Sequence, residues 1–366
     1  MRPPPEKMDP AVKLVVLPGE GIGPEVTAEG VRIAQTIQTL FELPLQIDIY
    51  EVGEMARQKT GSVFPIDAAT ACDQASKSSQ GAILFGAVSD EPIGILRKKY
   101  DLFANLRPLR ILKPLIPVSP LKQQLAESID MLVVRELVSD IYYGESNSGR
   151  TQDGRWATQQ MFYAENEVRR IVRVALDCAQ SRRKDLVLVH KGNVIKEIFA
   201  IWRDVLLDEA SAFPEVRCRE ILVDTMAMQM VRQPFDFDVI LCSNLFGDIL
   251  SDLGAGLLGS LGLLPSVSRN EEGFALYEPV AGTAPDIAGR NVANPVASIL
   301  SVALWCQYTL HNEAAARLIE RSVEDTLITY RTADILEAGC EQVSTQEMGE
   351  LISQKMIRSL ASWRLV

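Results

Sequence analysis

The chain has 366 residues, 47% of them hydrophobic and 23% charged, and a formal net charge of −11. That length and balance describe a globular protein with a large core, in two domains or one large one. The negative charge excludes a general affinity for nucleic acid or anionic membrane and leaves room for a local basic pocket that takes a small acidic substrate. Cys72, Cys178, Cys218, Cys242, Cys306 and Cys340 are scattered with no Cys-x-x-Cys pair. This argues against a zinc ribbon or a disulfide framework and suits a reducing cytoplasm. The opening "MRPPPEKMDPA" lacks the apolar segment of a secretory signal and reads as a flexible tail. No run of about 18 apolar residues predicts a membrane span.

In chain order, "KLVVLP" (13–18) reads as the first strand. It runs into "LPGEGIGPEV" (17–26), where Gly19, Gly21 and Gly23 alternate and Pro24 takes a first helical position. The spacing departs from G-x-G-x-x-G, so this is a nucleotide site of another kind or a tight strand-to-helix turn. "GAILFGA" (81–87) is the next strand. "LRKKYDLFANLRPLR" (96–110) then gathers Arg97, Arg107 and Arg110, with Arg135 in the strand-like "DMLVVREL" (130–137). Guanidinium forks match carboxylates, and the alternative is a solvated basic face. Arg135 directly follows "MLVV", and a charge there needs a partner or a cleft. Tyr142 lies just beyond it. The polar, turn-rich "GESNSGRTQDGRWAT" (144–158) is an excursion, either a mobile loop or an arm reaching a partner.

"ENEVRRIVRVALDCAQSRRK" (165–184) has helical periodicity. "DLVLVHK" (185–191) brings Lys191 to a strand end, where burial or neighbouring cations would lower an ammonium towards a useful base; a solvated lysine is the alternative, and His190 reads as structural. "REILVDTMAMQM" (219–230) carries a strand-like core followed by Asp224, a metal-ligand candidate or a helix N-cap. "DVILCSNL" (238–245) is a further strand. In "NLFGDILSDLGAG" (244–256), Asp248 and Asp252 stand one helical turn apart and repel unless neutralised. Mg²⁺ or Mn²⁺ would do so, and two unrelated surface acids are the alternative. "LYEPVAGTAPDIAGRNVANP" (276–295) permits close approach to a flat ligand, or is only a long connection. Its acid, Asp286, can accept both ribose hydroxyls of an adenosine and would repel a 2′-phosphate. From about residue 296 the pattern is mostly helical. The strand–helix alternation predicts an α/β fold with mostly parallel pairing.

Together these segments resemble the isocitrate/isopropylmalate dehydrogenase family, the β-decarboxylating dehydrogenases, over roughly residues 13–330. "LPGEGIGPEV" is similar to the family's LPGDGIGPEV, with Glu20 for Asp. "DLFANLRP" and "VVREL…DIYYGE" resemble its isopropylmalate members in particular, and "NLFGDILSDL" and "GTAPDIAG…ANP" match in the same order. The resemblance implies a two-domain, non-Rossmann α/β fold with mixed central sheets flanked by helices. Residues 1–102 with 259–366 would form the cofactor-side domain and 103–258 the second, with an intersubunit arm at about 144–158. It implies Tyr142 and Lys191 as catalytic groups, and Arg97, Arg107, Arg135 and Ile93 as substrate contacts. Asp224, Asp248 and Asp252 would hold Mg²⁺ or Mn²⁺, with Asp224 and Lys191 completing the site of a partner in a homodimer. Asn193, Gly282, Thr283, Ala284, Pro285, Asp286, Ile287 and Asn294 would contact NAD⁺.

The implied reaction is NAD-linked oxidative decarboxylation of a 3-substituted malate in the cytoplasm, with 3-isopropylmalate giving 4-methyl-2-oxopentanoate and CO₂ in leucine biosynthesis. D-malate, tartrate and homoisocitrate are alternative substrates, and a non-catalytic dimeric paralogue is the alternative of another class. The chain departs from the pattern at Ala281, where the family's loop has a His packing on adenine. Its segment from Gly86 to Arg97 is about ten residues shorter than in isopropylmalate members. Ile93 and Gly94 replace two leucines, and "HKGN" (190–193) is closer to isocitrate members.

Overall fold

The computed structural model describes residues 12–89 and 91–363; the expected N-terminal tail lies outside them. In chain order the elements are β1 (Val12–Gly19), α1 (Gly23–Phe41), β2 (Leu45–Ile49), α2 (Glu54–Thr60), α3 (Ile66–Ala75), β3 (Gln80–Ala87), α4 (Pro92–Lys99), β4 (Ala104–Arg110), α5 (Gln123–Ala126) and β5 (Asp130–Glu136). A 3-10 turn (Asp140–Tyr142) precedes β6 (Ser146–Thr151), β7 (Gly154–Gln159), α6 (Glu165–Ser181), β8 (Asp185–His190), α7 (Lys196–Ala210), β9 (Arg217–Leu222) and α8 (Val223–Arg232). Then follow β10 (Val239–Cys242), α9 (Asn244–Leu258), β11 (Pro265–Arg269), β12 (Ala275–Pro279), α10 (Val296–Tyr308), α11 (Glu313–Leu327), β13 (Tyr330–Arg331), β14 (Glu341–Gln342) and α12 (Thr345–Trp363). No helix among the described residues is long and apolar enough to cross a membrane.

The chain divides into two compact units, both discontinuous. The first comprises Met1–Ile93, Glu271–Ala333 and Glu341–Val366, and the second Gly94–Asn270 with Asp334–Cys340. The exchange points therefore stand at Ile93/Gly94 and Asn270/Glu271, where the sequence reading put them at 102/103 and 258/259. The reason at the return is β11, which pairs antiparallel with β4 and so stays with the second unit.

The first unit carries the parallel strands β2-β1-β3-β12. Their inner residues, such as Val15, Val16, Ile83 and Leu84, are buried on both sides, which is why these segments read as continuous apolar runs. Each such side chain contributes about 1.5–3 kcal/mol. Helices α1 and α10 pack on this sheet. The second unit carries β11-β4-β5-β10-β8-β9, of which β11-β4 and β4-β5 are antiparallel and the rest parallel. The fold is thus α/β with mixed sheet flanked by helices.

Two readings of the segments change. The run 219–230 is strand only to Leu222 and helix from Val223, because "DTMAMQM" has helix formers spaced to bury Met226 and Met230. "ANLRPLR" proves to be β4, paired on both sides despite Pro108 and two arginines. Its polar residues disguise a strand whose Asn105 and Arg107 are buried.

Candidate active site

Strand register builds the floor of the site in the second unit. Asn105 on β4 lies opposite Arg135 on β5, and Arg107 is two residues along β4 from Asn105. All three side chains therefore share one sheet face. Helix α9 crosses that face. Its Asn244, Asp248 and Ser251 follow the i, i+4, i+7 spacing of a single helical stripe. Gly247 is required here by contact: a Cβ on it would stand 2.6 Å from the Arg135 Cγ.

Arg135, only 2% exposed, donates from Nε (3.0 Å) and Nη2 (2.7 Å) to the Asn244 Oδ1, and from Nη1 to the Asp248 Oδ1. Arg107 donates from Nε to Asn105 Oδ1 (2.7 Å) and from Nη1 to Ser251 Oγ (2.6 Å). Its Nη1 also stands 3.6 Å from a carboxylate oxygen of both Asp248 and Asp252. The Tyr142 hydroxyl donates to Asp248 Oδ2 at 2.6 Å, and the Arg135 guanidinium lies 5.5 Å from its ring centre. Arg97, near the end of α4, contributes to the field at Asp248. So Arg97, Arg107, Arg135, Tyr142, Asp248 and Asp252 come together. Ile93 stands half-buried one turn before Arg97 on α4.

The electrostatics separate the two aspartates. Burial raises the Asp248 carboxyl, but Arg135, the Tyr142 hydroxyl, Arg107 and Arg97 outweigh it and hold the group below its ordinary range. Asp252 is raised, first by burial and then by the Asp248 charge, against the pull of Arg107. Burial and the Asp248 hydrogen bond push the Tyr142 phenol to about 12, so it stays protonated as a donor.

Lys191 and Asp224 form a second cluster. Lys191, in the turn after β8, donates to Asp224 Oδ1 at 2.6 Å, which draws the Asp224 carboxyl down. Asp224 sits in the first turn of α8, and the helix N-cap is Leu222, so the N-cap reading of Asp224 does not hold. The backbone N–H of Gly192 donates to His190 Nδ1 at 3.1 Å, which shapes the turn. Asn193 is exposed in that turn. Among the described residues no three His, Cys, Asp or Glu side chains gather to hold a metal. Asp248 and Asp252 form one pair of oxygen donors, and Asp224 stands apart from them with Lys191.

The loop 280–295 belongs to the first unit. Ala281, Ala284, Ile287 and Ala288 pack on Ile22, Val26 and Ala293. The Ile22 N–H donates to Thr283 O at 2.9 Å, and a Cβ on Gly21 would lie 1.9 Å from that oxygen. Gly21 thus lets the first strand-to-helix turn seat this loop, while Gly19 and Gly23 admit the close approach of Ala87 and Pro18. Gly282, Pro285 and Asp286 face outwards. Asn294 Oδ1 accepts the Val296 N–H at 3.0 Å and so caps α10. Arg290, which sequence reasoning passed over, donates to the Asp286 carbonyl at 3.4 Å.

Sequence reasoning also missed a buried group behind the site. Glu136 accepts from the N–H of Val138 (2.7 Å) and Ser139 (3.1 Å) and from the Tyr163 hydroxyl (3.2 Å). Burial nonetheless pushes its carboxyl up to about 7. A carboxyl raised in the fold contributes stability below its unfolded value of 4.5 and loses it as pH rises through about 7. A rise of that size is worth about 3 kcal/mol. Denaturant unfolding at pH 5 and pH 8 should show that loss in the wild type and a much smaller one in Glu136→Gln. Equal losses in the two proteins would remove Glu136 as its source.

With this geometry in view, the comparisons with known proteins agree. A family model described as isocitrate/isopropylmalate dehydrogenase matches residues 13–352, and the chain belongs to that family. It is 41% identical over 361 residues to the 3-isopropylmalate dehydrogenase of Aquifex aeolicus (strain VF5), covering 94% of this chain and 97% of that one. It is 42% identical to the 3-isopropylmalate dehydrogenase of Cupriavidus metallidurans, covering 93% and 99%. Among solved structures it is similar to isocitrate dehydrogenase from Methylococcus capsulatus, with a TM-score of 0.83, 29% identity, and coverage of 94% and 99%.

Proposed function

We propose that this protein is an NAD-linked oxidative decarboxylase of a 3-substituted malate, with 3-isopropylmalate as the favoured substrate. The observation that carries the reading is the convergence of Arg107, Arg135 and Tyr142 on Asp248 and Asp252. Cationic forks for carboxylates, hard oxygen donors and a protonated phenol stand within a few ångströms. The name shared by the relatives at about 40% identity selects the substrate within the class.

The donor set fits a divalent cation. Asp248 is half-buried and Asp252, one turn further on, is exposed; their mutual repulsion is what a hard cation such as Mg²⁺ or Mn²⁺ relieves. Asp224 is the third ligand, supplied with Lys191 by a second copy of the chain. The exposed apolar side chains Met228, Val231, Phe235 and Ile249, on or beside α8 and α9, support a homodimer. So does the exposed hairpin β6–β7 with its outward Trp156. The loop 281–287 with Asn294 holds the adenosine end of NAD⁺, Asp286 taking the ribose hydroxyls.

When bound, the cation would supply Lewis-acid polarisation at the C2 oxygen and the nicotinamide would supply the hydride acceptor for C2. The guanidinium groups of Arg97, Arg107 and Arg135 hold the substrate carboxylates. Lys191, once it has given up its own proton as the neutral amine, would take the C2 hydroxyl proton. The β-carboxylate leaves as CO₂ with its electron pair passing to the resulting enolate. Tyr142 then gives its proton to the enol carbon.

Assay of NAD⁺ reduction with 3-isopropylmalate, D-malate, tartrate, isocitrate and homoisocitrate in the presence of Mn²⁺ tests the reading. 3-Isopropylmalate should show the highest kcat/KM, and silence with every acid would favour a non-catalytic paralogue. Asp224→Asn should retain the fold and lose most activity at low Mn²⁺, with partial recovery in excess Mn²⁺. Full turnover at low Mn²⁺ would remove Asp224 from the metal site.

A further inference from the structure

Helix α9, which carries Asp248 and Asp252, lacks a side-chain cap of its own: Ser243 stands at the N-cap without making the capping hydrogen bond. Its first two N–H groups are satisfied from elsewhere. The Asn244 N–H donates to the Tyr163 hydroxyl at 3.0 Å, and the Leu245 N–H donates to Asp140 Oδ2 at 3.0 Å. Asp140 is 1% exposed, and its Oδ2 also accepts from the Tyr163 hydroxyl at 3.2 Å. Its Oδ1 accepts the Ile141 N–H at 2.7 Å. A carboxylate at a helix N-terminus is stabilised by the helix dipole as well as by the hydrogen bond.

Asp140 also opens the 3-10 turn that ends in Tyr142. Its φ is +76°, in the left-handed region that non-glycine residues occupy at a cost. The turn is therefore attached to α9 at two heights. Asp140 ties it to the first turn of the helix, and the Tyr142 hydroxyl reaches Asp248 one turn further on. Tyr142 itself is 48% exposed, so packing alone does not hold its ring in place.

We propose that Asp140 is a positioning residue that caps α9 from the 3-10 turn and thereby sets the Tyr142 hydroxyl in its proton-donating place. The proposal rests on the reading of Tyr142 as the donor to the enol carbon. Arg135 is held by the side chains of Asn244 and Asp248, so loss of Asp140 should affect proton delivery more than substrate binding.

The test compares Asp140→Gly, Tyr142→Phe and their double variant. Glycine takes φ +76° without strain, and Asp140→Asn, which also tolerates that region, serves if the glycine variant does not fold. Two quantities are read: steady-state kcat and KM with 3-isopropylmalate, and deuterium uptake from D₂O at C3 of the 2-oxo acid product, followed by NMR. Asp140→Gly should lower both kcat and exchange by about tenfold or more with substrate KM changed by less than about threefold. In the Tyr142→Phe background the same change should cost less than about twofold. An equal loss in both backgrounds, or a rise in KM with kcat unchanged, would overturn the role of Asp140. Normal exchange in Tyr142→Phe would instead overturn the reading of Tyr142, and the two failures are separate.

Discussion

Lys191→Met and Asp248→Asn proteins should each be inactive, and mixing the two should restore about a quarter of wild-type turnover. The expectation comes from the separation of the two clusters. In one chain Lys191 pairs with Asp224, while Asp248 and Asp252 gather with Arg107, Arg135 and Tyr142. If each active site takes Lys191 and Asp224 from the partner, a mixed dimer has one site with every group intact and one with both defects. Random association makes half the dimers mixed, hence the quarter. Refolding the differently tagged variants together, with the mixed dimer counted by native mass spectrometry, gives the measurement. Mixed dimers without activity would show that each site is built from a single chain.

The second large effect concerns the cofactor. The wild type should prefer NAD⁺ over NADP⁺ by about a hundredfold or more in kcat/KM, because Asp286 would meet a 2′-phosphate carrying about two negative charges. Each 1.4 kcal/mol of that repulsion is about tenfold in affinity. Asp286→Lys should cut the preference by more than about tenfold or reverse it, since the new ammonium joins Arg290, which donates to the residue-286 carbonyl. NAD⁺ and NADP⁺ kinetics on both proteins check this. Equal use of the two cofactors by the wild type would sink it.

How much of the site was legible depends on whether a residue's neighbours in sequence are its neighbours in space. Asp248 and Asp252 announce themselves because helical spacing is local. Extending the same spacing back by four would have reached Asn244, which holds Arg135. Arg135 stood out as a charge directly after a buried run. Asn105, Glu136, Asp140 and Tyr163 carried no such mark, since each is defined by partners on other elements. Strand β4 was hidden for a related reason: its buried polar residues face α9 and β11, so it lacks the apolar pattern of an interior strand.

The sequence by itself determined the alternating α/β plan, the glycine turn after the first strand, the arginine and aspartate clusters and the family resemblance. Each of these follows from side chains within one element or one turn of each other. Only the tertiary structure decided which charges meet. The β4–β5 register sets Arg107 and Arg135 beneath α9, and the cations and Tyr142 hydroxyl gathered on Asp248 split it from Asp252 in acidity, although burial raises both. It also decided that Lys191 answers to Asp224 and that a left-handed Asp140 caps the helix carrying Asp248 and Asp252. Desolvation and long-range pairing depend on what surrounds a group in space, and a linear spacing carries no record of that.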